Sequence, residues 1–329
     1  MKKFRAYRID QQDKKIVADF CTMDIDELTQ GDVVIKVSHS TINYKDALAA
    51  TGAGRILRKF PLNGGIDLAG SVVSSDDERF KEGEAVLVNG CGLSETVDGG
   101  YAEYARIAGD SVVPIPEGMT AAQAMQIGTA GYTAALAIHR MEQNGQKPED
   151  GPVVVTGATG GVGGLAIDML DGRGYEAVAV TGKSDQADYL KSIGARQVLV
   201  RGDIELGTRP MEKTQWAGAI DNLGGDTLAW LIRTVGYGGN IASIGLAQSH
   251  ELNTTVLPFI LRAVNLLGIN SVDTPRDLRL QVWDRLSGDL APRHLDEIAG
   301  TTIAFDELPE AFQAFVDGKV TGRTLVTFA

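Results

Sequence analysis

The segment from residue 153 to residue 163 has the pattern of a dinucleotide-binding turn. Three valines at 153–155 precede the sequence TGATGGVG at 156–163, in which Gly157, Gly160 and Gly163 are spaced by three. If a strand ends and a helix begins here, free backbone N–H groups and the positive end of the helix dipole together favour a pyrophosphate. The spacing departs from strict G-x-G-x-x-G, so a tight turn without a ligand is the alternative. We predict a bound dinucleotide.

The end of the next predicted strand distinguishes NAD from NADP. An NAD enzyme usually has an acidic residue about twenty positions on, which holds the ribose 2′-hydroxyl. Here the sequence reads Thr181-Gly182-Lys183-Ser184 without a carboxylate, and Arg201 follows the strand after that. A charge-assisted hydrogen bond to the 2′-phosphate contributes roughly 1.5–3 kcal/mol, which is enough to set the preference. The pattern predicts NADPH; the alternative is that Lys183 and Arg201 are ordinary surface charges.

Alternating strands and helices are expected to position this loop. From residue 152 onward, apolar runs alternate with helical segments such as 185–193 and 226–234. This alternation is typical of a parallel sheet covered by helices on both faces. The predicted strands are residues 153–155, 177–180, 197–200, 218–221 and 240–244.

The two ends of the chain have a different texture. Up to about Pro116, short β-branched strands such as 32–37 and 84–88 are broken by turns, which favours an irregular antiparallel β domain. Thr120 is a predicted N-cap for a helix over 121–127, and a second helix is predicted over 133–141. At the other end, a helix through Val316 and a strand over 323–326 are expected to pack back onto the first domain.

We therefore predict an α/β protein of two domains. Residues 1–124 together with 299–329 form an antiparallel β domain, and residues 125–298 form a Rossmann-type, doubly wound parallel-sheet domain. A length of 329 residues accommodates two such domains.

Composition argues against several classes of function. The 31 Lys and Arg residues against 43 Asp and Glu give a net charge of −12, which opposes nucleic acid and anionic membrane surfaces. No apolar run approaches the ~18 residues of a membrane span, and no signal-peptide pattern follows the basic start, so a cytoplasmic protein is expected. Cys21 and Cys91 form no CxxC pair, and with only 4 His we predict no metal site.

Six further stretches carry a family resemblance. They are residues 43–48 (NYKDAL), 61–70 (PLNGGIDLAG), 127–131 (IGTAG), 216–221 (WAGAID), 258–262 (PFILR) and 322–326 (GRTLV). Over nearly its whole length the chain resembles the medium-chain dehydrogenase/reductase family, and more narrowly its zinc-free quinone-oxidoreductase-like branch, which includes acrylyl-CoA reductase (NADPH). The resemblance implies a GroES-like β domain beside the Rossmann-type domain. Zinc-dependent members have a Cys where Asn43 stands and a His-Glu pair where this chain reads Gly65-Ile66-Asp67, so the resemblance does not imply a metal-assisted mechanism.

The resemblance also implies contacts with NADPH beyond the glycine loop. Tyr44 is expected near the nicotinamide end, and Leu246, Ile260 and Ser271 are expected to line the nicotinamide side. The complete predicted set of cofactor-binding residues is Tyr44, Gly157, Thr159, Gly160, Gly161, Val162, Gly163, Thr181, Gly182, Lys183, Ser184, Arg201, Leu246, Ile260 and Ser271.

The implied reaction is NADPH-dependent reduction of the 2,3-double bond of acrylyl-CoA to propionyl-CoA. Asn43 and Tyr44 are the candidates for stabilising the developing oxyanion, Tyr44 also for relaying a proton, and Asp46 for orienting its neighbours. The alternative for all three is a helix start in which Asn43 is a cap. Two other functions stay open, a quinone or enone reductase on the same scaffold and an NADPH-binding sensor without turnover.

Substrate and subunit contacts are the last expectations. CoA is anionic, and Arg55, Arg58 and Lys59 form the densest basic stretch, which either binds the CoA phosphates or is a solvated loop. The partner is therefore expected to be a small molecule. Relatives pair the edge strands of their dinucleotide domains, so residues 265–272 are predicted to form such an edge in a homodimer.

Overall fold

In the computed structural model, which describes residues 3–328, the chain forms two units with different kinds of sheet. Unit 1 consists of Met1–Thr129, Ser271–Trp283 and Ala299–Ala329, and unit 2 of Ala130–Asn270 and Asp284–Ile298. The structure thus groups residues 271–283 with unit 1, whereas the sequence-based division places them with the dinucleotide domain. The predicted domain boundaries remain a proposal.

Strands and helices are numbered along the chain. The strands are β1 (Phe4–Gln12), β2 (Lys15–Met23), β3 (Val33–Ile42), β4 (Leu62–Asn63), β5 (Asp67–Ser75), β6 (Ala85–Asn89), β7 (Tyr104–Ile107), β8 (Val113–Pro114), β9 (Val153–Thr156), β10 (Ala177–Thr181), β11 (Gln197–Val200), β12 (Trp216–Asp221), β13 (Val235–Ser243), β14 (Asn265–Gly268), β15 (Thr301–Ala304) and β16 (Thr324–Thr327). The helices are α1 (Tyr44–Thr51), α2 (Ala121–Gln143), α3 (Gly161–Gly172), α4 (Ala187–Ser192), α5 (Gly225–Thr234), α6 (Leu257–Arg262), α7 (Arg276–Ser287), α8 (Leu295–Ile298) and α9 (Leu308–Val316).

Unit 1 is built on a mainly antiparallel sheet in the order β15-β16-β3-β5-β6-β8, with β7 also paired to β3. A smaller sheet has the order β2-β1-β4. Along β3 the buried side chains of Val33, Ile35 and Val37 alternate with more exposed ones, the period expected of a strand with one face on the core. Because β16 pairs antiparallel with β3, the C-terminal segment returns to the first sheet, as predicted.

Unit 2 contains a six-stranded parallel sheet in the order β11-β10-β9-β12-β13-β14. Every residue of β9 and β10 is buried, as expected for strands covered on both faces. The strand order reverses between β9 and β12, which is the Rossmann arrangement. The predicted α/β class, with an antiparallel and a parallel sheet, is confirmed.

Several predicted boundaries differ from the structure, and two of the differences have a physical reason. The two helices expected over 121–127 and 133–141 correspond to the two halves of α2, which are separated at Gly128, where φ is 50° and ψ is −159°; the second half begins earlier than predicted. Thr120 does cap its start, since its hydroxyl oxygen accepts the N–H of Gln123 at 3.1 Å. The strand expected over 240–244 begins at Val235, because its glycine-rich start has no side-chain pattern to reveal it. A Cβ on Gly239 would lie 2.4 Å from the carbonyl oxygen of Ala217, so the bare backbone is needed there.

Candidate active site

The glycine-rich segment joins the carboxyl end of β9 to α3, the strand–turn–helix context that the sequence predicts. Gly157 has φ 60°, in the left-handed region that favours glycine. A Cβ on Gly163 would lie 2.4 Å from the carbonyl oxygen of Gly157, so a larger residue does not fit. The N-cap of α3 is Gly160, and no side chain caps this 12-residue helix. The turn therefore fits the pyrophosphate of a dinucleotide, which its N–H groups can bind.

The turn lies where the strand order of the parallel sheet reverses. The Thr156 hydroxyl donates to Asp221 Oδ1 at 2.7 Å, and Asn222 Nδ2 donates to the Thr156 carbonyl at 2.8 Å. Burial raises the pKa of Asp221, although hydrogen bonds from Thr156 and from backbone N–H groups oppose the rise. These contacts join the ends of β9 and β12, where open α/β sheets bind their ligands.

The end of β10 brings two cations beside a glycine. A Cβ on Gly182 would lie 3.6 Å from Nη2 of Arg201, so the guanidinium and Gly182 are neighbours. Thr181 is buried, and its hydroxyl oxygen accepts the N–H of Lys183 at 3.0 Å. Burial lowers the pKa of Lys183, and the charge of Asp185 opposes that effect. Ser184 begins the following 3-10 turn. Lys183 and Arg201 can donate charge-assisted hydrogen bonds to a 2′-phosphate, and no carboxylate at the end of β10 would repel it.

The remaining predicted cofactor residues are found in both units. In unit 2, Leu246 and Ile260 are exposed apolar side chains. Ser271 lies in unit 1, where its carbonyl accepts a hydrogen bond from Arg279 at 3.3 Å. Their predicted places around the nicotinamide remain predictions.

In unit 1, the start of α1 places Asn43 and Asp46 together. Asn43 is the N-cap of α1, and Asp46 Oδ2 accepts its backbone N–H at 2.8 Å. The other carboxylate oxygen, Asp46 Oδ1, accepts the N–H of Ile66 at 2.9 Å. Asp46 therefore fixes the start of the helix and attaches it to the segment that leads into β5.

The side-chain amide of Asn43 has no hydrogen left over. Its Nδ2 donates to Asp67 Oδ2 at 2.7 Å and to Asp46 Oδ2 at 3.1 Å, and these bonds use both amide hydrogens. Its Oδ1 accepts from Nη1 of Arg323 at 3.0 Å. In this arrangement the amide holds charged groups in place and has no N–H to offer a substrate.

Asp67, at the start of β5, is fully buried and bonds to α2 as well. The Thr129 hydroxyl donates to its Oδ1 at 2.6 Å, and the Thr129 N–H lies 3.0 Å from both carboxylate oxygens. The interruption of α2 at Gly128 makes this approach possible. A Cβ on Gly128 would lie 3.0 Å from Asp67 Oδ2 and 2.6 Å from Nη2 of Arg323.

Arg323, just before β16, supplies a buried cation. Besides Asn43, its guanidinium donates to the Thr41 hydroxyl at 2.9 Å and to the Gln126 carbonyl at 3.2 Å. Burial lowers its pKa, whereas the charges of Asp67 and Asp46 raise it. We call Asn43, Asp46, Asp67 and Arg323 the Asn43 cluster. One guanidinium faces two carboxylates in it, so with all three ionised the cluster carries one net negative charge.

Protonation of Asp46 relieves this excess charge. Burial raises the pKa of Asp46 to about 7, and the charge of Asp67 contributes, although hydrogen bonds from Asn43 and Ile66 oppose the rise. The neighbouring Tyr101 hydroxyl has its pKa raised well above the ordinary value by burial and by Asp46 and Asp67. It donates to the Thr41 carbonyl at 3.1 Å. Tyr101 is therefore a neutral group beside these carboxylates.

Three residues in and around the Asn43 cluster are missed by the sequence-based prediction: Asp67, Thr129 and Arg323. Asp67 and Arg323 lie within stretches that carry the resemblance, yet nothing local marks them as partners, since they are 24 and 280 positions from Asn43. The available signal was a charge at the edge of an apolar strand, at the start of β5 and immediately before β16. Charges in such places are rarely buried unless they are paired.

Tyr44 differs from its neighbours because its side chain is open. It is 51% exposed, whereas Asn43 is 9% and Asp46 is 1% exposed. Of the three predicted catalytic residues, Tyr44 is thus the one whose polar group can reach a ligand without rearrangement.

The basic stretch lies beside a cavity of about 350 Å³ in unit 1. Arg55 and Arg58 line it, and Lys59 does not. Four residues that were not predicted from the sequence also line it: Lys45, Ile56, Leu57 and Glu95. The Nζ of Lys45 and the Oε1 of Glu95 are 2.7 Å apart.

Two family models match the chain. The model described as "Alcohol dehydrogenase GroES-like domain" matches residues 29–117, and the model described as "Zinc-binding dehydrogenase" matches residues 161–288. Within residues 3–328, no group of three or more His, Cys, Asp or Glu side chains is placed to bind a metal ion. None of the helices in that same range is both long and apolar enough to cross a membrane.

Among the relatives that match almost end to end are two bacterial proteins. The chain is 46% identical over 324 residues, 98% of each protein, to "Putative quinone oxidoreductase YhfP" of Bacillus subtilis (strain 168). It is 47% identical over 322 residues, 98% of this chain and 99% of the relative, to "Probable acrylyl-CoA reductase AcuI" of Escherichia coli (strain K12). The chain belongs to the medium-chain dehydrogenase/reductase family, in the branch that contains these proteins, and the resemblance is confirmed.

Many solved structures share the fold, among them those of two bacterial proteins. One is the yhdH oxidoreductase of Salmonella enterica in complex with NADP, 45% identical, with a TM-score of 0.95 over 99% of this chain and 100% of that one. The other is Bacillus subtilis yhfP with NAD bound, also 45% identical, with a TM-score of 0.96 and the same coverage. Similar proteins have therefore been crystallised with either dinucleotide.

Proposed function

We propose that the protein reduces the 2,3-double bond of acrylyl-CoA to give propionyl-CoA, with NADPH as the reductant. The observation that carries the proposal is the 47% identity, over 98% of the chain, to a protein named as an acrylyl-CoA reductase. The geometry supports it in both units. Unit 2 offers a turn suited to a pyrophosphate, with Lys183 and Arg201 near the end of β10. Unit 1 offers an exposed tyrosine, Tyr44, next in the sequence to Asn43 of the buried polar cluster.

The choice of NADPH over NADH rests on Lys183 and Arg201. Lys183 lies just past the end of β10, where an NAD enzyme usually has a carboxylate, and Arg201, just past β11, neighbours Gly182. When bound, NADPH supplies a hydride to the β carbon of the alkene. Leu246 and Ile260, both exposed, provide apolar surface for the nicotinamide in this proposal.

Tyr44 is the proposed hydrogen-bond and proton donor. Reduction of the alkene leaves negative charge on the thioester oxygen and requires a proton at the α carbon. Since both amide hydrogens of Asn43 bind carboxylates, the hydroxyl of Tyr44, a half-exposed residue, is the better donor. Asn43 and Asp46 then act as positioning residues, because together they fix the first turn of α1, where Tyr44 is the first residue.

A quinone or enone reductase is the second candidate. It is favoured by the 46% identity to a protein named as a quinone oxidoreductase. Both proposed activities use the same NADPH site and the same proton donor. They differ in the rest of the substrate, which is a CoA carrier in one case and a quinone or enone in the other.

Oxidation of NADPH, followed by its absorbance with acrylyl-CoA, with a quinone and with no acceptor, tests the proposal. Faster oxidation with acrylyl-CoA supports it, whereas oxidation with the quinone alone favours the second candidate. Oxidation with none of a broad panel of acceptors contradicts both and favours a sensor. Tyr44→Phe should lower kcat about 100-fold or more while leaving the affinity for NADPH within about threefold, since it removes one donor and preserves the ring. Unchanged turnover removes Tyr44 from the chemistry.

Two further expectations join the proposal. We propose a homodimer, because β14 (Asn265–Gly268) is an edge strand of the parallel sheet and has unpaired backbone groups to offer a second copy. A cytoplasmic location is proposed with it.

A further inference from the structure

A cavity in unit 1 carries three cations and one carboxylate. Its lining residues are Lys45, Arg55, Ile56, Leu57, Arg58 and Glu95. We call it the Lys45 cavity. Lys45 is the second residue of α1 and directly follows the proposed donor, Tyr44, in the sequence. With its charged residues ionised, the cavity has a net charge of three minus one, or +2, in a chain whose net charge is −12.

Backbone hydrogen bonds fix the segments that line the Lys45 cavity. The N–H of Arg58 donates to the Glu95 carbonyl at 2.8 Å, and the N–H of Glu95 donates to the Gly92 carbonyl at 3.0 Å. Leu57, between Ile56 and Arg58, is buried in a cluster that includes Ile9 and Leu62. The charged side chains are therefore presented from fixed positions, as a recognition site requires.

Glu95 bridges two of the cations. Its Oε1 lies 2.7 Å from Lys45 Nζ, and its Oε2 lies 3.8 Å from Nη2 of Arg58. The Glu95 side chain is only 12% exposed, whereas that of Arg58 is 74% exposed. The carboxylate thus sits at the inner side of the cavity, and the cations it neutralises still face outward, where an anion can approach them.

We propose that the Lys45 cavity binds the phosphates of the CoA carrier and that Glu95 is a built-in counter-ion, which competes with those phosphates for Lys45 and Arg58. This inference rests on the proposed function and adds Lys45 and Glu95 to the substrate-binding residues. A phosphate at Lys45 and Arg58 replaces Glu95 as their partner and is repelled by it. Glu95 therefore weakens CoA binding and favours release of the product, and it has no effect on an acceptor without phosphates.

Binding of coenzyme A, measured by calorimetry with NADP⁺ at saturation so that the dinucleotide site is filled, tests the proposal. Glu95→Gln keeps the shape and removes the charge, so it should tighten CoA binding about three- to ten-fold at low salt, whereas Lys45→Gln should weaken it by a similar factor. Both effects should shrink at about 0.5 M salt, because screening shortens the range of the charges.

The matched control is Asp317→Asn, which removes the carboxylate of another lysine–carboxylate pair of unit 1, 2.8 Å from Lys319. It should leave CoA binding unchanged, and circular dichroism confirms that each variant folds. Unchanged or weaker binding by Glu95→Gln, or unchanged binding by Lys45→Gln, overturns the proposal, and either variant alone decides it if the other does not fold. CoA binding is measured without turnover. If the wild type binds CoA but does not reduce acrylyl-CoA, the proposed function is refuted and the proposed CoA site is not. If the protein reduces acrylyl-CoA and all variants bind CoA with equal affinity, only the proposal for the Lys45 cavity is refuted.

Discussion

Replacing Asp46 with Asn should change how the stability of the protein depends on pH. Burial, with the charge of Asp67, raises the pKa of Asp46 from an ordinary value of 3.8 to about 7. The folded protein therefore keeps a proton on Asp46 at pH values where the unfolded chain has released it. Between these two pKa values unfolding releases a proton, so raising the pH favours the unfolded state.

The size of the effect follows from the two pKa values. One pKa unit is worth about 1.4 kcal/mol, so this carboxyl removes about 4 kcal/mol of stability between about pH 4 and pH 7. The stabilising contribution of Asp46 to the free energy of unfolding is complete below about pH 4 and is lost above about pH 7. The protein has a sequence pI of about 4.9, so the practical window begins near pH 5.5. From there to pH 7 the Asp46 contribution should fall by about 2 kcal/mol.

The amide side chain introduced by Asp46→Asn is neutral at every pH, so this part of the slope should vanish. The substitution also has a constant cost, because Asp46 accepts hydrogen bonds through both oxygens and an amide can accept through one. An unsatisfied buried group costs about 1–3 kcal/mol, independent of pH. The variant should therefore be less stable near pH 5.5 and should approach or exceed the wild type at pH 8.

Urea unfolding between pH 5.5 and pH 8, followed by circular dichroism, measures both curves. Asp306→Asn, which changes an exposed carboxylate, is the control and should run parallel to the wild type. Charged groups facing Asp46 are Asp67 and Arg323, both retained in the variant. If the Asp46→Asn and wild-type curves are parallel over this range, Asp46 is ionised in the folded protein and the reasoning fails.

Three other changes probe the fold, the cofactor site and the assembly. Gly128→Ala should cost about 2–4 kcal/mol in urea unfolding, because its Cβ would meet Arg323 at a left-handed φ; Gly118→Ala, at φ 81° with open space around it, should cost about 1 kcal/mol. Lys183→Glu should weaken NADPH about 10- to 100-fold and NADH much less, and equal losses would remove Lys183 from the 2′-phosphate site. Light scattering at micromolar concentration should show a dimer, and a monomer refutes the proposed pairing of β14.

The parallel sheet was predictable because its strands are apolar on both faces and its loop is marked by glycines. Residues 153–156 and 177–181 are almost continuous runs of β-branched or small residues, so their positions needed no information from the rest of the chain. β13 shows the limit. Its first residues include Gly236 and Gly238, which have no side chain to bury, so the strand is visible only through its pairing with β12.

The candidate site was predictable only in part, because its two halves are encoded differently. The dinucleotide turn is local, and its residues lie within eight positions of one another. The Asn43 cluster joins α1, β5 and the residue before β16, so no window of sequence contains it. The alternative that made Asn43 a helix cap was right about its place at the start of α1. It did not anticipate that the side chain also binds Asp67 and Arg323, which lie outside the helix.

The hydrogen bonds of Asn43 show what an asparagine contributes at the position where zinc-dependent relatives have a cysteine. Zinc-dependent members of the family have a Cys at this position, and this chain has a group whose two N–H donors and one oxygen are all used within the protein. Each carboxylate of the cluster thereby has a donor, and the guanidinium has an acceptor, so the buried charges are satisfied without a further ligand. A site completed in this way contributes rigidity. We infer that the donor for the substrate oxygen must then come from a side chain that the cluster holds but does not use, and the Tyr44 hydroxyl, directly after Asn43, meets that requirement.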